Sequence, residues 1–138
     1  MIPEKEEDKC ANEEYITGLC YAGLGRWPET EATIDRLNKK TSLRAVSSLY
    51  IASLRLLLLA HQHHIKEVMN DYKSKYLANV KAEIGNYFAY DCDRFLAELA
   101  TVLEDAGDQA DSERIKRDRE QLRSRFLQAQ SRESTTFR

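Results

Sequence analysis

Apolar residues recur along this chain at intervals of three and four, with polar residues between them, which is the period of helices packed by one face. The first such stretch holds Tyr15, Ile16, Leu19, Cys20 and Ala22, with small Gly18 and Gly23 among them. It predicts a helix over about Asn12–Leu24. Asn12 is placed to cap it, and Gly25 to stop it in the left-handed conformation that glycine adopts without a Cβ clash. Pro28 suits the first turn of a second helix, where its missing N–H is not needed. That helix carries Ala32, Ile34 and Leu37 and fades at Asn38–Lys40. Thr41 or Ser42 can cap a third helix, with Leu43, Val46, Leu49, Tyr50, Leu54 and Leu56 to Leu59. Four successive leucines cover every face, so that end should be surrounded by other helices. Asn70–Asp71 offers a turn, and a helix running on through it fits equally. A fourth stripe, Leu77, Val80, Ile84, Phe88, Cys92, Phe95, Leu99 and Val102, is the clearest, and Gly107 ends it. From Ser112 the chain is highly charged, and Ile115, Leu122 and Phe126 form only a narrow seam.

Composition agrees with an all-α chain. Two prolines and five glycines in 138 residues are few for a strand-rich chain with many tight turns. At 42% hydrophobic and 32% charged the sequence can bury a core, and its length fits one domain. The expected organisation is a flexible acidic leader over 1–10, a helical domain over 11–107, and a charged C-terminal helix with a frayed tail over 108–138. The expected fold is an antiparallel helical-hairpin array of four to five helices, tetratricopeptide-like or a helical bundle. A net charge of −2 excludes a global field that attracts nucleic acid or anionic membrane. The longest apolar run is interrupted by Arg55 and is too short to span a bilayer. Cys10, Cys20 and Cys92 are odd in number and widely spaced, which implies reduced thiols and an intracellular, cytoplasmic setting. Cys20 and Cys92 lie in apolar patterns and are expected to be buried. The acidic start, with no apolar core, does not read as a signal peptide.

Gly18, Tyr21, Leu24, Gly25 and Trp27 stand in the order and spacing of the first helix and turn of a tetratricopeptide repeat, and residues 14–37 resemble one such unit. Thr30 and Glu14 depart from that pattern, and no proline closes the unit. The resemblance implies a hairpin with Trp27 buried across it, and a protein-binding role. "VSSLYIASL" and "AEIGNYFAYDCDRFLAEL" are similar to the long helices in the N-terminal half of 14-3-3 proteins. Arg55 is the only lysine or arginine from Val46 to Ala60 of that third helix, so phosphate-binding residues are not carried over. An unrelated helical hairpin uses the same caps and remains an equal reading of the stretch.

Candidate chemistry is sparse. On a continuous helix, His61 and His64 are three apart and His63 and Glu67 four apart, so each pair shares a face. His61, His64 and Glu67 are therefore the candidate metal ligands, with Asp91, Asp93 or Glu98 needed to complete a site. A polar helix end is the simpler account. Asp91 and Asp93 diverge on a helix and form no acid–base pair. Phosphate loop, dinucleotide fingerprint and hydrolase motifs are all missing. No catalysis and no cofactor are expected. Tyr72, Tyr76, Tyr87, Phe88 and Tyr90, beside Lys73, Lys75 and Lys81, could stack on a nucleic-acid strand, although acidic neighbours dilute the patch.

The function expected from these residues is noncatalytic: a protein–protein interaction module, adaptor or small subunit of a larger assembly. Its partner is another protein, a second copy of the chain included. The expected contact is the projecting C-terminal helix through Ile115, Leu122, Phe126, Arg119 and Arg123. The alternatives are a metal-dependent helical enzyme using His61 and His64, and a nucleic-acid-associated helical protein.

Overall fold

The computed structural model describes residues 4–40, 45–82 and 88–136, with side chains for 11–39, 49–80, 92–125, 127 and 128. The described backbone is all-helical. Helix α1 spans Glu4–Gly23 and α2 spans Trp27–Lys40; α3 is Ala45–His61. A helical rod follows in three parts: α4 Ile65–Asp71, a π-helical stretch Tyr72–Tyr76, and α5 Leu77–Ala82. Then come α6 Phe88–Asp105 and α7 Gln109–Thr136. The leader expected to be loose is helical from Glu4 onward. Ile84, Gly85, Tyr87 and the joint near Thr41 lie outside the described residues, and only the backbone is described at Phe88 and Tyr90.

The hydrophobic pattern explains the packing. Helix α3 is apolar on nearly every face, and it touches α1, α2, α4, the π-helical stretch and α6. Leu54 and Leu57 are fully enclosed, Leu58 and Leu59 pack on the same cluster, and Arg55 alone of this run turns to solvent. At the crossing of the first three helices stands Gly18. A Cβ there would come within 2.8 Å of Leu54 Cδ1 and 3.0 Å of Thr33 Cγ2. Glycine lets α1 approach that closely without displacing these side chains. Tyr15 of α1 stacks on Tyr50 of α3 with centroids 4.4 Å apart, and Asn12 Nδ2 donates to the Tyr50 hydroxyl at 2.9 Å.

The π-helical turn has a packing effect. The Leu77 N–H donates to the Tyr72 carbonyl, five residues back instead of four. The wider turn brings Tyr72 and Tyr76 inward together, with ring centroids 6.0 Å apart. Tyr76 meets the Phe95 ring of α6 at 4.8 Å. Both tyrosines are enclosed, so neither can stack on a nucleic-acid base. Burial pushes the Tyr76 hydroxyl well above the ordinary phenol range.

The charged helix α7 does not project freely. It lies along α6, in the most extensive helix pairing of the described chain. Ser112 is buried and its hydroxyl donates to the Ala100 carbonyl at 2.8 Å. Ile115 is 0% exposed, and Leu122 packs at the edge of the core. The Tyr72 hydroxyl donates to Asp118 Oδ2 at 2.9 Å, and burial, reinforced by the Asp118 charge, pushes that hydroxyl up. Arg119 donates twice to Asp93, at 2.9 and 3.1 Å, and Arg123 adds a third bond at 3.1 Å. A narrow seam suffices because α6 also packs against α1 and α3. Leu127, farther along, is exposed.

The Asp93 cluster sets an acid sensitivity. Burial opposes ionisation of this carboxyl, but the hydrogen bonds and charges of Arg119 and Arg123 outweigh it and hold it below the usual range. Its folded pKa is therefore lower than the unfolded value of ~3.9. The stability it adds is complete above that value and is lost as pH falls through the folded pKa. Solvent reaches the pair, so the effect is modest. Asp93→Asn is expected to lower the melting temperature at neutral pH and to shrink its fall below about pH 4. Parent and variant profiles that run parallel down to strong acid would contradict this.

Candidate functional site

Three of the described helices end at one place, and each ends the same way. Gly25, His63 and Gly107 all have left-handed backbones, with φ of 74°, 65° and 86°. In each, the N–H of that residue donates three residues back: Gly25 to Ala22, His63 to Ala60, Gly107 to Glu104, at 3.0, 3.1 and 3.0 Å. The next N–H reaches five residues back: Arg26 to Tyr21, His64 to Leu59, Asp108 to Leu103, at 2.8, 3.0 and 2.9 Å. This is the usual paired cap that closes a helix C-terminus. The α1, α3 and α6 ends carry the negative poles of their helices, and all three face one groove.

The groove has a volume of ≈ 360 Å3. That sits near the small end of ligand clefts, about 300–1,000 Å3. Its floor and walls come from Ala22 and Trp27 of the first turn, His61 and His63 of the second, and Val102 and Ala106 of the third. Trp27 stacks on His61, with centroids 4.3 Å apart and planes 13° apart. Beside them stand two carboxylates of α6, Glu98 and Asp105. Glu98 lies directly over Gly23, where a Cβ would meet its Oε1 at 3.3 Å. Neither carboxylate has an ion pair or hydrogen bond among the described residues. Nearby charges are already engaged: Arg26 binds Glu29 at 3.1 Å and lies 5.6 Å from the Tyr21 ring centre, and Glu104 pairs with Lys116 at 3.7 Å. Leu24, in the same turn, is 73% exposed.

Several sequence expectations change here. Trp27 packs against the core as a half-buried residue at the groove edge rather than a fully enclosed one. Trp27→Ala is therefore expected to cost about 1–3 kcal/mol, below the ~3–5 kcal/mol of a fully enclosed aromatic. A urea titration giving more than that range would mean that the ring is a core residue. Cys20 is exposed and accepts from Arg94 Nη2 at 3.8 Å, whereas Cys92 is buried as expected.

The histidines do not share a helical face. Helix α3 stops at His61, His63 occupies the left-handed cap and His64 precedes α4, so the turn divides His61 from His64 and Glu67. No group of three or more His, Cys, Asp or Glu side chains among the described residues stands close enough to hold a metal ion. Of the partner-contact set, Ile115 faces the chain's own core and Arg119 and Arg123 serve Asp93. The Phe126 side chain lies outside the described residues.

His63 is the residue whose conformation the sequence hid. A non-glycine side chain in the left-handed region costs ~1–2 kcal/mol. The two equivalent caps use glycine. His63→Gly is expected to stabilise the fold by up to about 1 kcal/mol, once the greater unfolded-state freedom of glycine is subtracted. A loss of stability in the same denaturant titration would show that the imidazole makes a contact that offsets its strained backbone.

Searches among protein-family models, curated proteins and solved structures find no match to this chain. No helix among the described residues is long and apolar enough to cross a membrane.

Proposed function

We propose that this protein is a noncatalytic interaction module, an adaptor or small subunit, that docks a partner protein at the groove where α1, α3 and α6 end. The observation that carries the reading is a groove edged by half-buried Trp27, with exposed Leu24 three positions before it in the same turn, beside two carboxylates that nothing among the described residues neutralises. An apolar edge with an aromatic anchor is the composition of an interface centre. The hairpin of α1 and α2, with Gly18 at the helix crossing and Gly25 at the turn, supports a tetratricopeptide-like description of this end. In this reading α7 is structural, and the docking role passes from its seam to the hairpin end.

The test is a photo-crosslinking amino acid placed at Leu24, in the cells that make the protein, with a second variant carrying it at exposed Ser74. The expected result is one discrete protein adduct from position 24, absent from position 74 and weakened by Trp27→Ala. Equal labelling from both positions, or none from position 24, would overturn the reading.

A further inference from the structure

The proposed docking role leaves open what chemistry the groove selects. We infer that it receives an arginine side chain of the partner polypeptide, with the guanidinium between the Trp27–His61 stack and the carboxylates of Glu98 and Asp105. This rests on the docking role proposed above.

Three independent features of the groove favour a cation. Glu98 and Asp105 bring two negative charges with no partner among the described residues. The C-terminal poles of three helices converge on the same space, each adding a partial negative charge. An aromatic surface stands beside them, and a ring face attracts a cation through its quadrupole. A guanidinium uses all three at once. It is planar and weakly hydrated, it stacks on aromatic rings, and it donates in pairs to carboxylates. An anionic partner would be repelled by every one of these groups. A purely apolar partner would leave the carboxylates beside its surface without compensation. The volume of ≈ 360 Å3 suits one long side chain and its stem, with Val102 and Ala106 against the methylenes. Leu24, exposed in the turn between the groove residues Gly23 and Gly25, offers an apolar surface to a neighbour of the arginine in the partner sequence.

Trp27 is the only tryptophan in the chain, so its fluorescence reports on the groove directly. The probe is the capped peptide acetyl-Leu-Arg-Leu-amide, titrated against the full-length protein, with calorimetry as the second readout. Its control replaces arginine by citrulline, which keeps the shape and removes the charge. The arginine peptide is expected to bind saturably, and the citrulline peptide at least about tenfold more weakly, a difference of ~1.4 kcal/mol. The double variant Glu98→Gln with Asp105→Asn is expected to lose about the same factor while its helical melt stays unchanged. Equal binding of the citrulline peptide, unchanged binding to the double variant, or no saturation at millimolar peptide would each overturn the inference. Free arginine binding as tightly as the peptide would do so too, since the site would then serve a small molecule. The two proposals fail separately. An adduct from Leu24 without arginine selectivity leaves the docking role standing. Selective arginine binding without that adduct removes the docking role and keeps the cation site.

Discussion

Ile115→Asp is expected to abolish the cooperative thermal unfolding of this protein. The side chain is fully enclosed between α7 and the core, and a carboxylate there would have neither water nor a described cationic partner within the cluster. Folded domains of this size are stable by only about 5–15 kcal/mol. An unpaired buried charge, together with the lost packing, removes most of that reserve. Ile115→Ala gives the graded version, an expected loss of about 2–5 kcal/mol. Deleting the chain after Asp108 removes more than the isoleucine. It also removes the Ser112 bond to Ala100, the Asp118 acceptor for Tyr72, and both arginines of Asp93. The shortened chain is expected to bind a hydrophobic dye and sediment as aggregates. Circular dichroism melts and sedimentation velocity decide the matter. A truncated chain with the parent's melting temperature would mean that α7 rests on the surface without contributing to the core.

Leu57→Asp should be equally severe, for a different reason. Ile115 closes one side of the core, whereas Leu57 sits on α3, the helix that meets five other helical segments. A charge at its centre disturbs α1, α2, α4, the π-helical stretch and α6 together, and no single element can move aside to admit water. Leu57→Ala leaves a cavity in place of a charge, and its expected cost is about 2–5 kcal/mol. If Leu57→Asp keeps a cooperative melt near that of the parent, α3 is not the centre of the fold.

The hairpin end was legible in the sequence to the extent that its signals are local. Gly25 and Gly107 stop helices because they accept a left-handed backbone, and Pro28 falls in the first turn of α2. The third stop was missed because His63 carries no such mark. A helical reading of "HQHHIKE" placed four residues on one rod, and the turn at His63 broke that geometry and the metal pairs that depended on it. The π-helical turn was equally silent, since a bond from Leu77 to Tyr72 has no residue signature. Asp105 lay unremarked on the polar side of the α6 stripe, and Glu98 entered only as a residue that could complete a metal site. Their meaning comes from which helix ends stand opposite them.

By itself, then, the sequence determined the helical class, the positions of two of the three left-handed caps, and most of the apolar residues that form the core. Each follows from propensity, periodicity or the conformational freedom of one residue, and each acts within a few positions along the chain. Tertiary structure decided the rest. It folded the charged helix back onto α6, because a narrow seam of Ser112 and Ile115 was enough to cover one side of that helix and Arg119 could reach Asp93. It drew three helix ends and two carboxylates around Trp27, although they come from segments up to about eighty residues apart. Contacts between distant segments depend on how whole helices pack, and packing responds to the summed shape of many side chains rather than to any motif that can be read in one of them.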